Sequence, residues 1–324
     1  MTQVNKALRE VWEESDELRP DRVLLRTGFL LAEGNERRPP AAPMVRLLNP
    51  RGVALRFYLL ALFEAQCRLR PGQPWKNTRP ISGRMGWRDL IAVDTAYDRQ
   101  TGSYQRETKQ RRDPDSCRDR QIQGALRSLG EGEEQALVTV PFKANGRHRD
   151  YGAFELMSES GRGGVPTPDH YTVPDPRPGV IGIPIEFFLH GWVQVLHPSE
   201  IATWLILRHL RWRHPQSHDR AGVFLYGQTR EEIYHLRSDS YEDGCRTLLE
   251  LGLIREARPM SPTGGHWPLD PAVFAPLPEV DEHGRVRYRP NRFQLLDDGL
   301  KRDALTTSLK EFTLRQKEQE RKSP

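Results

Sequence analysis

Three groups of side chains in this sequence have types and spacings that could do chemistry. Asp98, Glu107 and Lys109 stand in a D…E-x-K order, with which many enzymes hold a divalent cation and orient an attacking water. They lie in AYDRQTGSYQRETKQRR, a polar insertion without an apolar strand or pocket pattern to bury them. A loop or hairpin with a chance triplet is the simpler reading. His209, His214 and His218 are spaced H-x4-H-x3-H. Pro215 breaks any helix that would align them, and no cysteine or carboxylate stands at a zinc-ligand spacing. No Gly-Lys-Ser/Thr phosphate loop, dinucleotide fingerprint or nucleophile elbow occurs in the sequence. The expectation is a protein that is not an enzyme and uses no metal and no cofactor.

The third group is RVRYRPNR (285–292), where Arg285, Arg287 and Arg289 alternate with Val286 and Tyr288. In an extended segment successive side chains face opposite ways, so three guanidinium groups line one face and the apolar pair lines the other. Read alone, this is also a solvated edge strand that uses charge against aggregation. Its use depends on the elements around it.

Those elements belong to a chain of 324 residues, 36% hydrophobic and 29% charged, with room for about two domains. No apolar run approaches the ~20 residues that span a bilayer. The N-terminal MTQVNKALREVWEESDELRP is polar and acidic where a secretion signal is basic and then apolar, so a cytoplasmic protein is expected. Cys67, Cys117 and Cys245 are far apart, which suits reduced thiols rather than a disulfide framework. Lys and Arg (49) exceed Asp and Glu (44), for a net charge of +5. Basic residues gather in RETKQRR (106–112), RHLRWRH (208–214) and RVRYRPNR, which permits a polyanionic partner.

Two Pro/Gly-rich stretches divide the chain. ERRPPAAP (36–43) ends an N-terminal segment, 1–43, and the stretch 158–179 has the composition of an interdomain linker. They leave bodies at 44–157 and 180–298 and a charged C-terminal segment, 299–324. In that segment Leu305, Leu309 and Phe312 are at helical spacing, the pattern of a helix docking by one apolar stripe.

The two bodies repeat one order. Each opens with a short apolar segment, MVRLL (44–48) or IGIPIEFF (181–188), and continues into an apolar helix at 52–69 or 199–213, the latter with Pro198 and Ser199 as start signals. A shorter helix follows at 86–93 or 229–237, with Thr229 placed to cap the second. A third helix then spans 115–130 or 238–252, ending ALRSLG or TLLELG with the glycine expected past a helix C-terminus. Each body closes with two strands, at 136–142 and 151–159 in the first and at 253–258 and 285–296 in the second.

Helix, helix, helix, strand, turn, strand is the order of the winged helix, so the expected fold is mainly α with small β-hairpins (α+β), as two winged helix-turn-helix domains in tandem. The repeated endings ALRSLG and TLLELG and the paired wings resemble bacterial proteins with two winged-helix domains in one polypeptide, such as iteron-binding plasmid replication initiators. The long second wing loop, 259–284, departs from a compact wing. The resemblance implies double-stranded DNA as the partner, in the cytoplasm and on the nucleoid when bound. In this motif the third helix reads the major groove, and phosphate contacts from the wings add affinity and register without reading sequence.

On that reading Arg118, Arg120, Gln121 and Gln123 are the base-reading candidates of the first domain, since Arg suits guanine and Gln suits adenine. Ser240, Tyr241 and Arg246, with Ser238, are their counterparts in the second, among the acidic Asp239, Glu242 and Asp243. Lys143, Asn145, Arg147 and Arg149, with His148, form the first wing tip, and Arg285, Arg287 and Arg289 the second wing. The end of RHLRWRH is read as basic residues complementing a helix C-terminus. The leading expectation is a sequence-specific DNA-binding regulator of transcription. The rivals are a plasmid-type replication initiator and, from another class, a winged-helix protein-protein adaptor acting through the second domain or the C-terminal helix. A monomer and a homodimer both remain open.

Overall fold

Gln66 and Arg208, on two different long helices, cover the two outer edges of one small sheet. The structure, a computed structural model, describes residues 1–31, 41–48, 53–92, 97–98, 103–104, 114–132, 135–144, 146–161, 168–257 and 290–322. It is mixed, mainly helical with antiparallel two-stranded sheets. No helix among the described residues is long and apolar enough to cross a membrane.

Helix α1 (Thr2–Glu13) leads to β1 (Arg22–Arg26), the short α2 (Pro43–Arg46) and the long α3 (Ala54–Arg68). The short α4 (Trp87–Leu90), a hairpin of β2 (Tyr97–Asp98) and β3 (Ser103–Tyr104), α5 (Pro114–Leu129), β4 (Val138–Thr139) and β5 (Glu155–Leu156) follow. The second half runs β6 (Val180–Pro184), α6 (Glu186–Leu189), α7 (Trp192–Val195), α8 (Pro198–Arg213), α9 (Pro215–Ala221), α10 (Gly227–Ile233), α11 (Ser238–Glu250), β7 (Ile254–Glu256) and β8 (Phe293–Leu295). Helix α12 (Ala304–Lys322) ends the described chain.

The two long helices are the core of their halves. On α3 every residue but Arg56 and Arg68 is buried, and on α8 every residue from Ile201 to Leu210 is buried. Helix α3 packs on α5, and α8 packs on α11. Helix α8 starts with Pro198 at its first position, where a missing N–H costs nothing, while the Glu200 carboxylate accepts from His197 N–H at 2.8 Å. Thr229 is not a cap: α10 begins at Gly227, which puts Thr229 inside the helix. Gly252 takes the left-handed φ of +63° after α11, as its position predicts. Gly130 does not, and the left-handed turn falls at Gly132 (φ +79°).

Both third helices are followed by an antiparallel pair, Val138↔Leu156 and Thr139↔Glu155 in the first half and Ile254↔Leu295 to Glu256↔Phe293 in the second. The start of each half is not where the sequence suggests. Residues 43–46 are helical, and the counterpart of β6 is β1, inside the segment set apart as 1–43. Strands β1 and β6 pair antiparallel with Leu24 opposite Gly182. On the outer edge of β1, the Gln66 side chain accepts from Leu24 N–H and donates to Leu24 C=O, both at 2.7 Å. On the outer edge of β6, Arg208 donates to Gly182 C=O at 3.1 Å. Each half therefore contributes one strand and seals it with its own long helix.

The stretch 158–179 is likewise no free tether. Buried Glu159 forms an ion pair with Arg26 of β1, and Arg26 also donates to Thr172 C=O at 2.9 Å. Tyr171 N–H reaches Leu156 C=O at 3.0 Å, and Tyr171 itself is fully buried. The halves share one core, with Phe63 stacked on Phe188 at 5.0 Å and Gln194 bonding both Ala92 N–H and Leu90 C=O at 2.9 Å. The C-terminal stripe does not dock: Leu309 and Phe312 are exposed, and α12 is held at Ala304, whose N–H reaches His190 C=O at 3.0 Å, and by Arg315 pairing with Glu250.

Candidate nucleic-acid interface

The packing of α5 sorts its polar residues. Ile122, Ala125, Leu126 and Leu129 are buried, which fixes the inward stripe. By helix geometry the opposite side carries Ser116, Arg120, Gln123, Gly124 and Arg127. Arg120 and Arg127 are exposed, and each bends back on its own helix, Arg120 Nε to Ser116 C=O at 3.1 Å and Arg127 Nε to Gln123 C=O at 3.4 Å. Gln121 and Gln123 are half-buried. Arg118 is exposed but stands one turn before Ile122 on the inward stripe, with Asp115 at 4.0 Å. Arg88 of α4 takes the Asp115 and Asp119 carboxylates at 3.2 and 3.9 Å, which offsets negative charge near the start of α5.

Arg127 was not among the sequence candidates. Its signal was present in the helical spacing of 116, 120, 123 and 127, but it falls among the residues of the apolar ending that attracted the core assignment. A Cβ added at Gly124 would meet nothing within 4 Å. No packing partner in the described chain requires that glycine.

The β4–β5 hairpin extends beyond its strands through a bridge between Phe142 and Arg149. Lys143 N–H reaches His148 C=O at 2.8 Å, and the tip turns at Gly146 (φ +66°). Lys143, Arg147 and Arg149 are all exposed, as the sequence expects, and Asn145 lies outside the described residues. Arg149 also has an internal role, with Nη1 donating to Val140 C=O at 2.7 Å and its guanidinium 4.3 Å from the Phe142 ring centre. Phe142 is a second residue the sequence reading passed over, because an apolar residue in ALVTVPF reads as the buried side of a strand.

The second half offers a different surface. Tyr241 is a correction: its side chain is only 7% exposed, because α11 packs on α8 along that face, and a base-reading role needs an outward side chain. Ser240 is half-buried and Arg246 is exposed, paired with Asp243 at 3.2 Å. Ser238 Oγ donates to Glu242 at 2.7 Å. A cleft of about 620 Å³ beside α11 is lined by Arg230, Ser238, Tyr241, Glu242, Arg246 and Phe293, among others. Arg285, Arg287 and Arg289 lie outside the described residues.

The basic run 208–214 is largely structural. Arg208 and Arg211 both pair with the Asp297 carboxylate, Arg211 at 2.8 Å, and burial pulls the Arg208 guanidinium down to about 10. His209 Nδ1 is 2.8 Å from Tyr234 Oη, and burial, helped by Arg213 and His214, lowers its pKa to about 4. His218 Nε2 accepts from Leu295 N–H at 2.8 Å while Nδ1 faces Asp219, so it stands as a neutral ring bracing β8. No group of His, Cys, Asp and Glu among the described residues could hold a metal ion. Of the D…E-x-K set only Asp98 is described, in β2.

Compared with known proteins, the chain matches no family, no curated protein and no solved structure.

Proposed function

We propose that the protein is a sequence-specific double-stranded DNA-binding protein built as two winged-helix units in tandem, acting as a regulator of transcription. The observation that carries this reading is the outward face of α5, where Arg120, Gln123 and Arg127 flank an unoccupied Gly124 on a helix whose other side is locked into the core. Arg and Gln have the donor geometry for guanine and adenine edges, and a glycine between them admits close approach of a groove wall. The cations of the β4–β5 hairpin supply phosphate contacts on the same unit. A double charge reversal on the outward face, Arg120→Glu with Arg127→Glu, is expected to abolish binding of native genomic fragments at near-physiological salt while the fold is retained. Full binding by that variant would overturn the reading. Recovery of short motifs upstream of genes marks a regulator, whereas an array of direct repeats beside an A·T-rich segment marks a replication initiator.

A second reading attaches to the second half. Asp239, Glu242 and Asp243 are exposed on α11, a face poorly suited to phosphate, so this unit contributes less to DNA affinity and is the one suited to a basic protein partner. Charge reversal at Arg246 is then expected to weaken DNA binding far less than the α5 pair does.

A further inference from the structure

The tip of the β4–β5 hairpin carries an aromatic side chain that neither the core nor the α5 face uses. Phe142 is 57% exposed in a protein that fully buries Phe57, Phe63, Phe154, Phe187 and Phe188. Its position is fixed all the same. The Phe142–Arg149 bridge and the bond from Lys143 N–H to His148 C=O, at 2.8 Å, close the hairpin on both sides of the ring. Arg149 lies over the ring at 4.3 Å and is itself held by Val140 C=O at 2.7 Å. One cation therefore clamps the ring while more than half of the residue stays open to solvent. Lys143 and Arg147 add positive charge, and the nearest carboxylate in the hairpin, Asp150, is engaged in accepting from Gly152 N–H at 3.2 Å.

A flat ring held by a guanidinium and flanked by cations matches what single-stranded nucleic acid requires. Bases stack on the ring without regard to sequence, and the cations take the neighbouring phosphates. A base inside an intact duplex has both faces covered by its neighbours, so the ring can receive only one that has left the stack. We infer that Phe142 forms a nucleobase-stacking site, which takes an unpaired or unstacked base while Lys143 and Arg147 hold adjacent phosphates. This rests on the DNA-binding reading and deepens it, giving the first hairpin a preference for DNA that is melted or distorted beside the duplex site. An apolar pocket on a protein partner is the competing occupant.

The test uses the full chain with three probes of arbitrary sequence: an intact duplex, the same duplex with a central unpaired thymine tract, and the single strand. Stacking and phosphate contacts are sequence-tolerant, so no operator is needed. The wild type is expected to bind the unpaired-tract probe roughly tenfold tighter than the intact duplex, the effect of about one base–aromatic stack. With 5-iodouracil in the tract, light is expected to cross-link the probe at Phe142. Phe142→Ala should lose both the preference and the cross-link, and Phe142→Trp should keep the preference, each with an unchanged thermal midpoint. Intact-duplex binding with no preference, equal in wild type and Phe142→Ala, overturns the stacking site and leaves the DNA reading standing. That result directs attention to the protein-partner alternative. Binding to none of the three probes overturns the stacking site, while the DNA reading itself is decided by the genomic-fragment experiment.

Discussion

Gly124 occupies the middle of α5 with open space where its side chain would be, and glycine in a helix interior costs about 1 kcal/mol relative to alanine. Nothing in the described chain returns that cost, which is the physical content of assigning the α5 face to a ligand. Gly124→Ala is expected to raise stability by about 1 kcal/mol in denaturant melts. Gly124→Leu should leave stability near wild type yet weaken DNA binding by at least tenfold in anisotropy titrations, because its bulk blocks approach between Arg120 and Arg127. A second residue-scale test concerns His209, whose buried ring has a pKa of about 4. Because that value lies below the unfolded one of about 6.5, the unfolded chain takes up its proton first as pH falls. Stability from this group is complete above about pH 6.5, declines from there to pH 4 and then levels, for a loss of order 3 kcal/mol. His209→Gln is expected to flatten that part of the pH profile in thermal melts, at the cost of a lower midpoint at neutral pH.

At the scale of elements, the sheet of β1 and β6 is closed by side chains rather than by further strands. Gln66 alone satisfies both backbone groups of Leu24 and also donates to Tyr171 Oη at 3.0 Å. Gln66→Leu keeps the volume and leaves Leu24 N–H and C=O without their partner in a half-buried place, each costing at the low end of about 1–3 kcal/mol. A loss of roughly 3 kcal/mol is expected in urea unfolding, with hydrogen exchange at Leu24 accelerated before the rest of the core. The exposed Leu309 and Phe312 on α12 show the reverse situation, the outer part of an apolar stripe that meets no surface among the described residues, while Leu305 is half-buried. Helical periodicity was legible in α3, α5, α8, α11 and α12, since spacing is a local property. What each stripe faces is a tertiary property, and Tyr241, Phe142 and Leu309 were misjudged for that reason.

For the whole molecule, the antiparallel β1–β6 pair joins the two halves, with each strand sealed at its outer edge by its own half's long helix. On the proposed DNA-binding function, α5 and α11 are two DNA contacts carried by one polypeptide. One polypeptide is expected to protect two half-sites in hydroxyl-radical footprints. The half-site at α5 should be held more strongly, because exposed Asp239, Glu242 and Asp243 surround Arg246 on α11 whereas the outward face of α5 carries no carboxylate among its described residues. Equal protection of two identical half-sites by one chain would contradict this asymmetry.

Without specifying the β2–β3 hairpin or α9, the sequence by itself determined the long helices, the strand pair that follows each of α5 and α11, and the basic character of the β4–β5 hairpin. Each follows from spacing, turn residues and charge within a few tens of residues. Only the tertiary structure decided that the halves share a core, that residues 1–43 supply β1, that 158–179 is tied down by Arg26 and Glu159, and that Arg208 and Arg211 serve Asp297. Arg26 meets Glu159 across 133 positions of chain, and Arg208 meets Asp297 across 89. Contacts at such separation leave no periodic mark in the sequence, because their partners are chosen by burial and charge pairing in the folded state.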